Sequence, residues 1–308
     1  MSRRFFPIAI LCFVISAHAQ EPAKTASLNQ RGLKLYKAGN FDAAIATFTE
    51  AIETSSSLTR RPLPGNSLAE RSTLTDESSA ILAVDPRTAA LLVNRGNVYF
   101  TIDKTDDALD DYDRAIRISP GLTEAYSCRG TVWFTRGEYG RAIEDYGRSL
   151  KLDPKFVKAY LGRALSYAKK GDFAAAYADF DAASKMNPKN AEVFYRRGDA
   201  RRIAGDLAGA AADYDRAISL EPKLAGPYFG RAHVHYSRGE LEPAVKDLTM
   251  ALELDVRIPT AYMYRGFALF ALGKNEAAAA DFKRALAILP QLQSEIDAGV
   301  KQIKSQRK

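Results

Sequence analysis

An arginine followed by a glycine or an alanine recurs through most of this chain at intervals of 34 residues. The pairs are Arg95-Gly96, Arg129-Gly130, Arg163-Ala164, Arg197-Gly198, Arg231-Ala232 and Arg265-Gly266. A length of 308 residues would also allow two unrelated domains. A fixed period instead predicts an array of similar units, each packed on its neighbours.

Proline and glycine follow the same period and divide each unit into two predicted helices. Prolines that close a helix-like segment are Pro86, Pro120, Pro154, Pro188, Pro222 and Pro290, and the glycines between two amphipathic runs are Gly137, Gly171, Gly205, Gly239 and Gly273. Proline lacks an N–H and stops a helix, whereas glycine adopts the positive φ that ends one. The pattern predicts two antiparallel helices per unit and an all-α fold.

One unit carries Tyr126, Gly130, Trp133, Gly137, Ala142, Tyr146 and Pro154 in order. This pattern resembles the tetratricopeptide repeat family, over residues 25 to 292. The chain departs from the family pattern where arginine replaces the usual leucine before glycine, and where Arg201 and His235 replace the usual tyrosine. The resemblance implies a right-handed superhelical solenoid of helix pairs with a concave face that binds partners.

Counting by phase predicts the domain organisation. Residues 1–19 are predicted to be a signal peptide, 20–58 an N-terminal segment with a first, interrupted unit, 59–88 an inserted loop and a resumed helix end, 89–292 six consecutive units, and 293–308 a terminal capping helix. The insertion is rich in Pro, Gly, Ser and Thr, which is typical of a loop. A role in contacting a partner is the alternative reading of that loop.

The first residues predict export. Arg3 and Arg4 precede an apolar run that ends near Ala17-His18-Ala19, which is typical of a signal peptide cleaved after Ala19, with a periplasmic or secreted product. The run is too short for a stable membrane anchor. Cleavage lowers the net charge from +7 to +5 because two arginines are removed. Charges of both signs are interspersed, which argues against nucleic acid as a partner.

Cysteine and histidine offer little chemistry. After cleavage Cys128 is the single remaining cysteine, so the chain cannot form an internal disulfide. The two remaining histidines, His233 and His235, point about 200° apart on a helix and cannot readily share a metal ion. The sequence contains no phosphate-binding glycine loop or nucleophile elbow. We therefore expect no metal, no cofactor and no enzymatic activity.

An aspartate follows each repeated arginine by 16 residues. The expected ion pairs are Arg95–Asp111, Arg129–Asp145, Arg163–Asp179, Arg197–Asp213, Arg231–Asp247 and Arg265–Asp281, within one unit or across to the next. A guanidinium can meet a carboxylate through two parallel hydrogen bonds. A ladder of positive charge for an anionic ligand is the alternative, but an equal ladder of aspartates favours structural pairs.

The family resemblance also implies which side chains face a partner in the concave groove. The predicted groove residues are Asn97, Phe100, Phe134, Lys169, Tyr195, Asp199, Arg202, Phe229, His233, Tyr236, Phe267 and Phe270. Aromatic residues and arginine supply most of the binding energy in many interfaces, although some of these rings could instead pack between helices. The Lys and Asn clamp by which the family holds chaperone tails is absent, since Val93 precedes Asn97 and Cys128 stands where Asn would be expected.

Two functions fit these observations. The first is a non-enzymatic scaffold that binds a protein or peptide in the groove. The alternative is an accessory subunit of an envelope polysaccharide or cell-wall assembly system that binds a glycan or positions an enzyme.

Overall fold

The computed structural model describes residues 23–59 and 86–306. These residues form fifteen α-helices and no strand, as the sequence predicts. The helices are α1 Ala23–Lys37, α2 Phe41–Thr59, α3 Arg87–Thr101, α4 Thr105–Ile118, α5 Thr123–Thr135, α6 Tyr139–Leu152, α7 Val157–Lys169, α8 Phe173–Met186, α9 Ala191–Ile203, α10 Leu207–Leu220, α11 Ala225–Ser237, α12 Leu241–Leu254, α13 Pro259–Ala271, α14 Asn275–Ile288 and α15 Gln293–Gln306.

Two predicted segments lie outside the described residues. They are the predicted signal peptide, residues 1–19, and residues 60–85, which make up most of the predicted insertion. At the edges of the insertion the chain is helical, because α2 ends at Thr59 and α3 begins at Arg87. No helix among the described residues combines the length and apolar character that crossing a bilayer requires.

The chain divides into an N-terminal unit that ends at Asp172 and a C-terminal unit that begins at Phe173. The N-terminal unit contains the helical hairpins α1–α2, α3–α4 and α5–α6, followed by α7. The C-terminal unit contains α8, the hairpins α9–α10, α11–α12 and α13–α14, and α15. The repeat of residues 157–190 is therefore divided between the two units.

Each hairpin turn requires a residue with positive φ. Glycine fills this position in six turns, with φ between 75° and 88°, and Gly137 is representative. Its N–H donates to the Phe134 carbonyl at 3.0 Å, while the next N–H, of Glu138, donates to the Trp133 carbonyl at 2.9 Å. Asp103 occupies the same position between α3 and α4 with a φ of 65°, a conformation that is strained for most residues other than glycine.

Alanine and a large side chain, a ring in every described hairpin except α11–α12 where it is Leu248, form the core of each hairpin. Within α4, Ala108 and Tyr112 are both fully buried. A Cβ at Gly96, on the facing helix α3, would lie only 2.7 Å from the Tyr112 ring, so glycine permits the ring to approach the α3 backbone. The small residue that follows each repeated arginine thus makes room for the ring of the second helix.

The repeated arginines lie beside the aspartates that the 16-residue spacing predicts. Arg95 donates to Asp111 from Nε at 2.8 Å and from Nη2 at 2.7 Å, and Arg129 makes the same two-bond contact with Asp145 at 2.8 and 2.6 Å. The equivalent pairs in the C-terminal unit are Arg197–Asp213, Arg231–Asp247 and Arg265–Asp281. Arg163 and Asp179 belong to different units, so their pairing stays a prediction.

The third guanidinium nitrogen of each arginine reaches the preceding hairpin. Arg129 Nη1 donates to Asp113 Oδ1 at 2.6 Å, and Arg231 Nη1 donates to Asp215 Oδ1 at 2.5 Å. Arg197 contacts Asp181 in the same way, whereas Arg95 and Arg265 use the hydroxyl groups of Thr49 and Thr249. One arginine therefore joins the two helices of its own hairpin to the hairpin before it.

The equivalent acceptor position before Arg163 is a glycine. An added Cβ at Gly147 would lie 3.8 Å from Arg163 Nη1, so this position faces the guanidinium but supplies no side-chain oxygen. The joint between α6 and α7 thus lacks the Asp or Thr side chain that occupies this position in the other described joints.

Burial offsets the attraction within these pairs. Burial raises the pKa of Asp111 and Asp145, although hydrogen bonds from Arg95 and Arg129 lower it. Hydrogen bonding to Asp145 raises the pKa of Arg129. The cost of desolvation therefore opposes the ionic attraction in these pairs.

The terminal helix α15 packs on α13, as the apolar spacing of residues 296, 300 and 303 predicts. Ile296 and Ile303 are buried, and Val300 is partly buried in the same apolar cluster. Gly299 lies directly against the Phe267 ring. Helix α15 therefore covers part of the last hairpin.

Candidate functional site

The predicted groove residues of the N-terminal unit do not form one accessible surface. Asn97 is fully buried, and its Oδ1 accepts a hydrogen bond from the Tyr112 hydroxyl at 2.8 Å. Phe100 is 2% exposed and belongs to the apolar core. These two residues are interior, which corrects the expectation that they line a groove. Phe134 is half-buried, 5.5 Å from the Tyr139 ring, and Lys169 is exposed at the end of α7.

The burial of Asn97 follows a rule that links the ninth residue of a 34-residue repeat to the twenty-fourth residue of the same repeat. Where the twenty-fourth residue is tyrosine, the ninth offers an oxygen, and the hydroxyl-to-oxygen distances are 2.8 Å for Tyr112–Asn97, 3.0 Å for Tyr146–Thr131 and 2.8 Å for Tyr214–Asp199. A buried tyrosine hydroxyl requires such a partner. These ninth residues are therefore engaged inside their own hairpins.

The last two hairpins lack this tyrosine, because Leu248 and Phe282 replace it. The ninth residues are then His233 and Phe267, neither of which faces a tyrosine hydroxyl of its own hairpin. Phe267 is only 7% exposed and packs against Phe282 and Gly299, so it is part of the core beneath α15. The prediction that Phe267 lines an open groove is wrong for this reason.

A cluster of half-buried rings lies where α11 meets α13. We call it the aromatic face, and it comprises Phe229, His233 and Tyr236 from α11 and Tyr264 from α13. The Tyr264 ring centre lies 4.0 Å from that of His233, 5.9 Å from that of Tyr236 and 6.4 Å from that of Phe229. All three contacts are edge-to-face, and so is the contact between Phe229 and His233 at 4.8 Å.

Tyr264 is the centre of this face, and the sequence prediction did not include it. The residues at the same position of the preceding units are Asn94, Cys128, Gly162, Arg196 and Gly230. All of these are small or polar, so a tyrosine at this position breaks the repeat. That departure is the signal from which Tyr264 could have been found.

Helix α9 contributes the charged part of the C-terminal unit. The Arg196 guanidinium lies 4.7 Å from the Tyr195 ring centre, and its Nε donates to Glu192 at 2.7 Å. Arg202, the last residue but one of α9, is half-buried. Asp199 is half-buried and accepts the Tyr214 hydroxyl. Phe270, on α13, is also half-buried.

Burial changes how the polar groups of this region titrate. Burial, and then the charge of Arg202, lower the pKa of His233 to about 4, so the imidazole is neutral at pH 7. Burial raises the pKa of Tyr236, Tyr264 and Asp199. For Tyr264 the charge of Arg202 opposes this effect. The four rings of the aromatic face are therefore uncharged at neutral pH.

The two histidines have separate environments. His235 Nδ1 lies 2.5 Å from Glu240 Oε2, and its Nε2 lies 3.7 Å from Asp247 Oδ2. His235 thus occupies the place that Arg201 holds beside Asp213 in the preceding hairpin. Within residues 23–59 and 86–306, no group of three His, Cys, Asp or Glu side chains could hold a metal ion.

Comparison with known proteins identifies the repeat. Models of the tetratricopeptide repeat match residues 89–122, 132–171, 161–225 and 259–292, which together make up more than half of the chain. The chain belongs to the tetratricopeptide repeat family. The hairpin α1–α2 and all but the first residue of the hairpin α11–α12 lie outside these matches, yet both pack as pairs of helices like the matched hairpins.

Solved structures with this fold include a tetratricopeptide repeat protein from Parabacteroides merdae. It is 21% identical over 91% of this chain and 99% of its own length, with a TM-score of 0.63. PilF from Pseudomonas aeruginosa is 16% identical over 71% of this chain and 97% of its own, with a TM-score of 0.61. TTC0263 from Thermus thermophilus is 21% identical over 59% of this chain and 99% of its own, with a TM-score of 0.52. At these identities the similarity shows the fold alone, and no curated protein sequence matches the chain.

Proposed function

We propose that this tetratricopeptide repeat protein is a non-enzymatic scaffold that binds a protein or peptide across the aromatic face of its C-terminal unit. The observation that carries the proposal is the set of four half-buried rings on two neighbouring helices, Phe229, His233, Tyr236 and Tyr264. Rings that are partly exposed and held rigidly by edge-to-face contacts can bury further area on a partner at little entropic cost.

Selection of binding peptides from a random displayed pool, using the purified chain as the target, tests this proposal. We expect the recovered peptides to bind the double variant Phe229→Ala, Tyr236→Ala at least about tenfold more weakly, since aromatic residues at the centre of an interface contribute about 2 kcal/mol or more each. Fluorescence anisotropy measures the affinity, and circular dichroism checks that the helix content is unchanged.

Tyr228→Ala is the matched control. Tyr228 is also half-buried on α11, but it lies beside Arg231, 5.8 Å from the guanidinium, and outside the aromatic face. Equal loss of affinity in the control and in the double variant would contradict binding at the aromatic face. Recovery of no peptide, together with binding of an oligosaccharide, would favour the glycan-binding alternative instead.

Export is part of the proposed function and rests on residues 1–19. The charged start, the apolar run and Ala17-His18-Ala19 support cleavage after Ala19 and a periplasmic or secreted product. Mass spectrometry of the chain after expression with its leader tests this directly. A product that begins at Gln20 is expected, and a product that retains residues 1–19 in the cell interior would contradict export.

A further inference from the structure

A cavity of about 440 Å³ lies in the N-terminal unit, between the α5–α6 turn and the end of α7. Its lining includes Glu138, Tyr139, Arg141 and Glu144, together with Lys170, which follows the last residue of α7. None of these residues belongs to the aromatic face. The volume falls in the range of about 300 to 1,000 Å³ that is usual for cavities that hold small molecules.

Two cations and two carboxylates line the cavity without pairing. Arg141 and Lys170 supply the positive charges, and Glu138 and Glu144 supply the negative charges. All four residues are exposed, and in the part of the chain that the structure describes none of them forms an ion pair or a side-chain hydrogen bond. Their donor and acceptor atoms are therefore available to a ligand.

Two aromatic neighbours hold side chains of the cavity in place. The half-buried Tyr139 ring centre lies 5.5 Å from that of Phe134, and the Arg141 guanidinium lies 4.8 Å from the Trp133 ring centre. Such contacts favour one side-chain arrangement before a ligand binds, which lowers the entropic cost of binding. The cavity thus combines an ordered ring with an ordered cation.

Gly140 contributes open space to the cavity, since an added Cβ would have no heavy atom within 4 Å. The residues equivalent to Gly140 in the other five repeats of 89–292 are Asp106, Ala174, Ala208, Glu242 and Glu276, and those equivalent to Arg141 are Asp107, Ala175, Gly209, Pro243 and Ala277. The glycine and the cation therefore occur together in this repeat alone among the six.

We propose that this cavity binds a neutral saccharide. Each hydroxyl of a sugar both donates and accepts hydrogen bonds, so one ligand can engage carboxylates and cations together. The two carboxylates would repel an anion such as phosphate, and the two cations would repel a cation, so the balanced charge favours a ligand without net charge. A zwitterion would leave one cation and one carboxylate unmatched. The half-buried Tyr139 ring can also pack against the C–H face of a sugar.

Titration of maltotriose, cellotriose and tri-N-acetylchitotriose into the full chain tests this site. Trp133 is the single tryptophan of the chain and contacts Arg141, so we expect at least one of these neutral trisaccharides to change its fluorescence saturably at millimolar concentration. Isothermal titration calorimetry measures the same binding without a fluorescence change. Trigalacturonate, an anion, and glycine betaine, a zwitterion, should bind more weakly.

Four variants sharpen the test. Gly140→Leu should abolish binding because its side chain fills the cavity, whereas the melting temperature should stay the same or rise, since glycine is unfavourable in a helix. Ala208→Leu, at the equivalent exposed position of another repeat, is its matched control. Glu144→Ala should weaken binding by about threefold to tenfold because it removes a hydrogen-bond acceptor. Glu276→Ala, an equally exposed glutamate on α14, should leave binding unchanged.

The outcomes separate this site from the aromatic face, which belongs to the other unit. If calorimetry detects no binding of a neutral trisaccharide, or if Gly140→Leu and Ala208→Leu bind it equally, the site is wrong. Tighter binding of trigalacturonate or glycine betaine would overturn the ligand class. If Phe229→Ala abolishes saccharide binding and Gly140→Leu does not, the saccharide occupies the aromatic face, which contradicts this inference and supports the glycan-binding alternative. Loss of binding in Gly140→Leu but not in Phe229→Ala supports the site and leaves the peptide-binding function to its own test.

Discussion

Arg129 allows the strength of the repeated joint to be measured. Its guanidinium makes two hydrogen bonds to Asp145, whose side chain is 7% exposed, and one to Asp113, whose side chain is 43% exposed. Replacing Arg129 by Met keeps the apolar stem but leaves Asp145 buried without its cation. We expect a loss of about 3 to 5 kcal/mol of unfolding free energy, the usual cost of breaking a buried pair on one side.

The exposed half of the same joint should contribute far less. Asp113→Ala is expected to cost only about 0.2 to 1 kcal/mol, because water screens the exposed pair. The double variant Arg129→Met, Asp145→Leu should recover most of the stability lost in Arg129→Met, since an apolar pair avoids the cost of burying two charges.

Trp133 reports this unfolding locally. It is the single tryptophan of the chain, and it lies in α5 with the Arg141 guanidinium 4.8 Å from its ring centre. Repeat arrays can unfold in parts, so a probe within the altered hairpin is preferable to total helicity. Urea titration followed by tryptophan fluorescence gives the three free energies. The reasoning would be refuted if Arg129→Met cost no more than Asp113→Ala, or if the double variant were less stable than Arg129→Met.

Three further predictions concern single positions. Asp103→Gly should raise stability by up to about 1 kcal/mol in thermal unfolding because it relieves a φ of 65°, and a lower melting temperature would contradict this. The free energy of unfolding should fall by up to about 3 kcal/mol as the pH drops from about 6.5 towards 4, because His233 has a pKa of about 4 in the folded chain and is protonated more readily in the unfolded chain. His233→Phe should reduce this pH dependence of stability, and an unchanged pH profile would exclude His233 as its source. Gly147→Asp should stabilise the chain by about 0.2 to 1 kcal/mol more than Gly147→Asn, which has a similar helix propensity but no charge, because it places a carboxylate beside Arg163 Nη1; equal urea midpoints would show that this carboxylate contributes nothing.

The periodic features of the fold could be predicted from the sequence because each unit repeats the same local physics. Glycines spaced 34 residues apart predicted the positions of the turns, and the 16-residue spacing from Arg95 to Asp111 predicted the ion pairs. The hydrogen bond from Nη1 of each arginine to the preceding hairpin could not be predicted, because it depends on how neighbouring repeats stack. Positive φ at Asp103 was also missed, because aspartate carries no strong signal for that conformation.

The candidate site was predicted less well because burial depends on pairs of positions. Asn97 was assigned to the groove from its place in the repeat, but the Tyr112 hydroxyl opposite it makes it an interior acceptor. Phe267 was assigned there too, yet α15 covers it. Tyr264 was missed although its departure from the repeat marks it, and its contacts with the rings of α11 depend on how α11 and α13 pack, which the repeat pattern does not encode.

Each arginine makes one set of hydrogen bonds within its own repeat and another bond to the repeat before it, and this affects how the repeats of such an array can be rearranged. The bonds to the aspartate 16 residues later would travel with a transplanted unit, because both partners lie inside it. The bond to the preceding hairpin would depend on the new neighbour, where Asp113 or Thr49 can accept it and Gly147 cannot. Units that follow an Asp or a Thr at this position should therefore be interchangeable without loss of this hydrogen bond.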